Sequence, residues 1–288
     1  VSQPFIAVDW GTTNRRAYLI EGGAVVRTER DAVGILAVPA GGFDAEVAAL
    51  RARFGGAPML LAGMVGSNRG WIDAGYVPCP ATLDSLAAAL KPAAEHVWIV
   101  PGVSTIRDDR ADVMRGEEVQ LLGAVSAGLA PPDALLCQPG THCKWARIEG
   151  GALSTFTTAM TGEMFALLRD HALIGAAMCA PVTEGPAFAD GVARAGDGDL
   201  LSALFGVRPA SLLGLREDAD AASYVSGLLI GSDVRAQVGA GDTVHLLADP
   251  ALGALYAAAI AQVGASAILI DSHAAFVAGI TQLWERKP

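Results

Sequence analysis

Long apolar runs are missing from this 288-residue chain, although 52% of it is hydrophobic. No uninterrupted stretch reaches the roughly 20 residues that a membrane-spanning helix needs, so no membrane partner is expected. A secretory leader is not expected either, because Asp9 and Arg15 interrupt the opening apolar segment too early. Paired cysteines are also missing. Cys79, Cys137, Cys143 and Cys179 show no C-x-x-C spacing, which argues for reduced thiols and a cytoplasmic location. Charge is scarce, at 17% of residues, and positive charge is scarcer: twenty bases against thirty acids leave a net charge of −10. That argues against nucleic acid as a partner. It leaves room for an anionic small molecule held by a few local basic groups.

What is present is an alternation of strand-like and helix-like runs, long enough to bury one large core or two moderate ones. Phe5 to Asp9, Ala17 to Glu21 and Ala24 to Arg30 read as successive antiparallel strands, with turns at Gly11 and at Gly22-Gly23. Asp44 to Phe54, Leu83 to Leu90 and Glu117 to Ala127 read as helices, and Pro58 to Ala62 and Val97 to Val100 as short strands. Ala134 to Gln138 then begins a second strand, Gly/Thr turn, strand, Gly-Gly turn, strand, followed by helices and two strands near Val244 and Ala267. The repeated pattern predicts an α/β protein of two similar domains, 1–130 and 131–272. A C-terminal helix at about 273–288 is expected to pack back on the first domain.

Five constellations could carry chemistry. In Asp9-Trp10-Gly11-Thr12-Thr13-Asn14 a strand ends on a carboxylate, and a turn follows whose N–H groups and hydroxyls suit a phosphate. An ordinary hairpin turn is the competing reading. Gly140-Thr141-His142, with Lys144, repeats the motif without the acid. In Arg115-Gly116-Glu117-Glu118 two acids open a helix, where they also favour the helix dipole. Adjacent helical residues diverge by about 100°, so only one of Glu117 and Glu118 can face a site. The loop Gly66-Ser67-Asn68-Arg69-Gly70-Trp71 offers a hydroxyl, an amide and a guanidinium, which suits a hydroxylated acid; a solvated surface loop is the alternative. Asp249 stands at a strand-to-helix junction and is either a plain cap or an adenosine neighbour. Arg107 beside Asp108 and Asp109 reads as a solvated charge run. Asp271-Ser272-His273 is contiguous, so its members diverge in space and make no triad.

In this order, the motifs resemble those of the actin, sugar kinase and Hsp70 superfamily. More specifically, the chain resembles the 2-dehydro-3-deoxygalactonokinase family from about residue 5 to 282. The carrying segments are Val8 to Asn14, Gly63 to Asn68, Val113 to Glu118, Pro139 to Trp145 and Met160 to Glu163. The resemblance implies two actin-like, ribonuclease H-like domains, with mixed sheets flanked by helices around a central cleft. It implies ATP-dependent phosphorylation of the 6-hydroxyl of 2-dehydro-3-deoxy-D-galactonate, with ATP and Mg2+ as cofactors. Gly11, Thr12, Thr13, Asn14, Gly140, Thr141, His142, Lys144 and Asp249 would hold the nucleotide. Asp9 would hold the metal, Glu117 or Glu118 would serve as base, and Gly66, Ser67, Asn68, Arg69 and Trp71 would bind the sugar acid. Two departures stand out. The second phosphate strand ends in Cys137-Gln138-Pro139 where the superfamily has an Asp, and the adenosine motif is Ala248-Asp249-Pro250 where it has paired glycines.

Three rivals remain at this level: an exopolyphosphatase-like hydrolase, a non-catalytic nucleotide-binding regulator and a carbohydrate-binding module. Exposed apolar helices would favour a homodimer.

Overall fold

The computed structural model describes residues 3–288, and the chain enters it as an antiparallel meander. Strands β1 (Phe5–Trp10), β2 (Arg15–Glu21) and β3 (Ala24–Asp31) alternate their side chains between two faces. Gly22 and Gly23, at φ +56° and +82°, make the tight turn that only residues tolerant of positive φ can make. Ile6, Val8 and Trp10 point into a core shared with Val47, Leu50 and Phe54 of helix α1 (Phe43–Arg53) and its C-cap. Each such large side chain contributes about 1.5–3 kcal/mol on burial. The register places Asp9, Arg16 and Arg30 in one row across the opposite face.

The chain continues through β4 (Met59–Gly63), β5 (Tyr76–Pro78), α2 (Leu83–Ala88), β6 (Lys91–Ala94), β7 (Val97–Ile99), β8 (Gly102–Arg107), β9 (Arg110–Met114) and α3 (Glu117–Ser126). The first sheet has the order β3-β2-β1-β4-β7-β6, with β1, β4 and β7 parallel. A separate sheet, β5-β8-β9, was not expected from sequence: its strands are short, and β5 ends in a proline. Arg107, Asp108 and Asp109 form its hairpin turn, with both aspartates at positive φ.

Strands β10 (Ala134–Gln138), β11 (Cys143–Glu149) and β12 (Ala152–Ala159) then repeat the opening pattern. Helices α4 (Thr161–His171), α5 (Pro186–Arg194), α6 (Leu200–Phe205), α7 (Val207–Leu212) and α8 (Asp218–Gln237) follow, then β13 (Thr243–Leu247), α9 (Pro250–Gln262), β14 (Ser266–Ile270) and α10 (Ser272–Arg286). The second sheet runs β12-β11-β10-β13-β14, with β10, β13 and β14 parallel. Both sheets therefore share one core order, third-second-first-fourth-fifth, on an α/β plan with mixed sheets. The repeated arrangement expected from sequence is thus present in both sheets.

Two compact units result. The first holds the chain up to Asp133, Ala146–Phe156 and Ser272–Pro288; the second holds Ala134–Trp145 and Thr157–Asp271. The β11–β12 hairpin end groups with the first unit because Leu153 and Ala81 exchange backbone hydrogen bonds at 2.8 and 3.0 Å, and Gly151 donates to Pro132. In the first unit α10 covers the Asp9 face: Trp284 stacks on Phe5 at 4.7 Å, and Phe276 lies 5.7 Å from Tyr18. It crosses α3 at Gly123 and Gly279, where a Cβ would come within about 2 Å of a facing carbonyl, so the helices meet backbone to backbone.

Candidate active site

The first turn is a cradle of N–H groups. The carbonyls of Gly11, Thr12 and Thr13 accept from Ile35, Leu36 and Gly34. A trans peptide sets its N–H opposite its C=O. The N–H groups of Thr12, Thr13 and Asn14 therefore point away from segment 34–36. Gly34 makes this close approach, since a Cβ there would lie 2.3 Å from Thr12 O. Thr12, Thr13 and Asn14 are exposed and line a cavity of about 410 Å³ with Asp9, Arg16 and Arg30. An N–H concavity edged by cations suits a phosphate.

Asp9 stands beside the cradle, at the end of β1. Burial lifts its carboxyl to about 6, against the pull of Arg16 and with the added repulsion of Glu117. Two carboxylates that repel one another in a half-buried place, with a phosphate site alongside, fit a divalent cation. Magnesium characteristically takes one or two protein carboxylates plus phosphate and water. No group of three or more His, Cys, Asp or Glu forms a dedicated metal cage among the described residues.

Glu117 comes to Asp9 by backbone geometry. Gly116, at φ +106°, turns the chain into α3, and a Cβ there would lie 3.1 Å from the Cα of Gly63. Gly63 in turn pairs with Trp10 across β4 and β1. The ends of β1 and β4 and the start of α3 thus converge. Glu117 is half-buried and accepts from the N–H of Arg115 at 3.1 Å. Glu118 is fully buried and accepts from the N–H of Gly116 at 2.7 and 2.9 Å. Burial, helped by Glu117, pushes its carboxyl up to about 8. The two acids that sequence left undivided occupy different environments.

The 63–75 loop begins as a short helical turn at Met64–Gly66. Ser67 is buried, donates to Met64 O at 2.7 Å and accepts from the N–H of Arg69, so its hydroxyl braces the loop. Asn68 and Arg69 are exposed at the tip. Trp71 is half-buried against the first unit's core. Gly66 is buried where a Cβ would meet Ile99 at 2.7 Å and a nitrogen of Arg115 at 3.1 Å.

The second turn, in the second unit, rests on the start of α4. Glu163 N–H donates to Thr141 O at 2.8 Å, and a Cβ on Gly162 would strike Gly140 O at 2.3 Å. His142 and Glu163 pair through Nε2 and Oε2 at 2.7 Å, both exposed. Lys144 is buried and donates to Thr158 at 2.8 Å. In the Cys137-Gln138-Pro139 segment that leads into the turn, Cys137 is buried 3.6 Å from Cys143, and burial holds its thiol well above the ordinary range. Beside the turn, Gly140, Gly162, Phe165, Leu229, Leu252 and Tyr256 line an apolar cavity of about 200 Å³. Asp249 caps α9, its Oδ1 accepting from the N–H groups of Ala251 and Leu252 at 3.0 and 3.1 Å.

Several residues escaped the sequence reading. Arg16 and Arg30 become visible only when the register aligns them with Asp9. His273, at the start of α10, sets Nδ1 3.1 Å from an Arg16 nitrogen and 2.8 Å from the Tyr18 hydroxyl, and Nε2 3.1 Å from an Arg30 nitrogen, so it packs among the groups of this row. Asp233 accepts from Trp145, Thr161 and Tyr256 at 2.8, 2.8 and 3.1 Å, tying α8 to β11, α4 and α9. No local motif announces it.

Known proteins match along nearly the whole chain. A family profile described as 2-keto-3-deoxy-galactonokinase matches residues 9–283. A 2-dehydro-3-deoxygalactonokinase from Escherichia coli (strain K12) is 35% identical, covering 97% of each chain. A crystal structure from Sinorhizobium meliloti, provisionally named for the same activity, matches with a TM-score of 0.90 at 34% identity, again covering 97% of each chain.

Proposed function

The chain belongs to the 2-keto-3-deoxy-galactonokinase family, and on that premise we propose that it transfers the γ-phosphoryl group of ATP to the 6-hydroxyl of 2-dehydro-3-deoxy-D-galactonate. The product is the 6-phosphate, and the enzyme is a phosphotransferase with an alcohol acceptor. The observation that carries this reading is the Asp9–Glu117 pair beside the Thr12–Asn14 N–H cradle.

Phosphoryl transfer needs positioning and charge neutralisation more than covalent chemistry. The cradle and Arg16 hold and neutralise phosphate oxygens. Asp9 would hold magnesium, which would supply further charge neutralisation to the phosphates. Glu117 takes the proton of the attacking hydroxyl, since it is the acid of the pair whose charge reaches Asp9. Glu118 supports the helix start. Asn68 and Arg69 meet the sugar acid, Trp71 gives it a flat wall, and Gly66 and Ser67 shape the loop. In the second unit, Gly140, Thr141 and His142 bind nucleotide phosphate, with Lys144 behind them, and the apolar cavity takes the adenine. ATP as donor and four free thiols support a cytoplasmic site of action.

The test is ADP release by the full chain with ATP and Mg2+ against a panel of 2-keto-3-deoxy sugar acids. Acceptor-dependent release, greatest with the galactonate epimer, is expected. Equal release without any acceptor would make the protein a hydrolase, and no release with any acceptor would sink the kinase reading.

A further inference from the structure

Arg115 is a buried cation without a hydrogen-bonded anion. It follows β9 and is 9% exposed. One terminal nitrogen donates to Gly75 O at 3.0 Å, and the guanidinium lies 4.4 Å from the centroid of the Tyr76 ring. Its Nε and other terminal nitrogen, three N–H bonds together, have no acceptor. Two carboxylates lie near it: the fully buried Glu118 feels its charge but accepts from Gly116 N–H and largely keeps its proton, and Asp73 is 3.7 Å away, beyond hydrogen-bond reach, and 55% exposed. Burying a guanidinium in this state is unfavourable unless an anion completes it.

Its position indicates which anion. The guanidinium packs on the bare Cα of Gly66, in the loop proposed above for the sugar acid. Its backbone N–H donates to Glu117, the proposed base. The sugar acid carries one permanent charge, the C1 carboxylate, at the opposite end of its carbon chain from the reacting 6-hydroxyl. A carboxylate anchor should therefore stand close to the base without coinciding with it. Arg69 is a cation of another kind. It is exposed, and an exposed ion pair contributes about 0–1 kcal/mol, too little to make a charged substrate strongly preferred over a neutral one.

We propose that Arg115 is the buried anchor for the substrate carboxylate, and that Asp73 is the provisional counter-ion which that carboxylate displaces. Arg69 draws the acid in; Arg115 distinguishes it from neutral sugars. The inference rests on the sugar-acid kinase reading for its ligand, but binding can be measured without turnover.

The experiment is calorimetric binding of 2-dehydro-3-deoxygalactonate and its neutral C1 carboxamide to the full chain, with ADP release measured in parallel. The wild-type chain should favour the acid by about 100-fold or more. Arg115→Gln should bring the two ligands to within about tenfold of each other while leaving the KM for ATP unchanged. Arg69→Gln, which loses only an exposed attraction to the acid, should lower the ratio by no more than about fivefold. Asp73→Asn, at an exposed position, should tighten acid binding several-fold with an unaltered melting temperature. A folded Arg115→Gln that keeps the wild-type ratio overturns the proposal, as does collapse of the ratio in Arg69→Gln instead. If Arg115→Gln does not fold, Asp73→Asn decides, and unchanged acid affinity overturns the proposal. Wild-type binding of the acid without any ADP release would defeat the kinase reading and leave the anchor standing. Equal wild-type affinity for acid and amide would defeat the anchor while acceptor-dependent turnover kept the kinase reading.

Discussion

The two Gly-Thr turns sit at the same place in two sheets of the same strand order, yet they carry different chemistry. Each follows the first strand of its meander, and each is tied down through its backbone, by segment 34–36 in the first unit and by the start of α4, at Thr141 O, in the second. The first stands in a field of ionisable groups: Asp9, Arg16, Arg30 and Glu117. The second has Gln138 at the acid's position, next to the buried Cys137, and opens beside an apolar cavity. The two units thus share a backbone device while their side chains differ: ionisable groups surround the first turn, and an apolar cavity lies beside the second.

The largest effect should come from removing the acid that separates the turns. Asp9→Asn is expected to lower kcat by about 10³-fold, the several kcal/mol that a positioned metal supplies. Adding Gln138→Asp in that background should restore nothing, because the second turn lacks the surrounding charges; recovery of activity would make the turns interchangeable. Mg2+ binding by the metal-free chain should weaken as pH falls through about 6, since Asp9 must be ionised to hold a cation and burial has raised its carboxyl to that value. In stability the same shift acts in the opposite direction. The native chain keeps that proton longer than the unfolded one, so stability falls as pH rises from about 4 to 6.

Glu117→Gln comes next, with kcat reduced by about 10²–10³-fold and the KM for ATP little changed, as for loss of a general base. An effect below about threefold would remove it from that role. The bases and acids of the first turn were legible in part. Asp9 and the Gly-Thr turn announce themselves locally, as do the meander around them and the helix beginning at Glu117. Arg16 and Arg30 were not legible, because only strand register shows that residues seven and twenty-one positions after Asp9 share its row. Which glutamate faces the site was also hidden. That depends on Gly116 at positive φ against Gly63, a contact between segments far apart in sequence. The β5-β8-β9 sheet and the helices α5 to α7 were missed because short strands and short helices carry too few residues to show a period.

The second turn can be loosened without touching charge near the first. Asp233→Ala removes an acceptor shared by Trp145, Thr161 and Tyr256, leaving three buried donors behind. A loss of about 3 kcal/mol in unfolding free energy is expected by denaturant titration. Because Thr161 opens α4, which supports the turn, the KM for ATP should rise while the KM for the sugar acid holds. A rise in both would show that the two turns do not act separately.

The smallest effect on turnover belongs to Glu118→Gln, and it sharpens the contrast within the acid pair. Glu118 is fully buried and holds its proton up to about pH 8. At neutral pH it is therefore a neutral hydrogen-bonding group, and glutamine reproduces that group in size and in its acceptor for Gly116 N–H. Turnover should change by less than about threefold, against the hundredfold or more at Glu117. Stability tells the two roles apart by sign. Between its ordinary value of 4.5 and about 8 the wild-type chain loses stability as pH rises, since the unfolded chain releases this proton first. In Glu118→Gln that slope should flatten, so the variant gains on the wild type most above pH 8. A kcat loss as large as that of Glu117→Gln, or an unchanged stability slope, would place the working carboxylate at Glu118 and reverse the assignment of the pair.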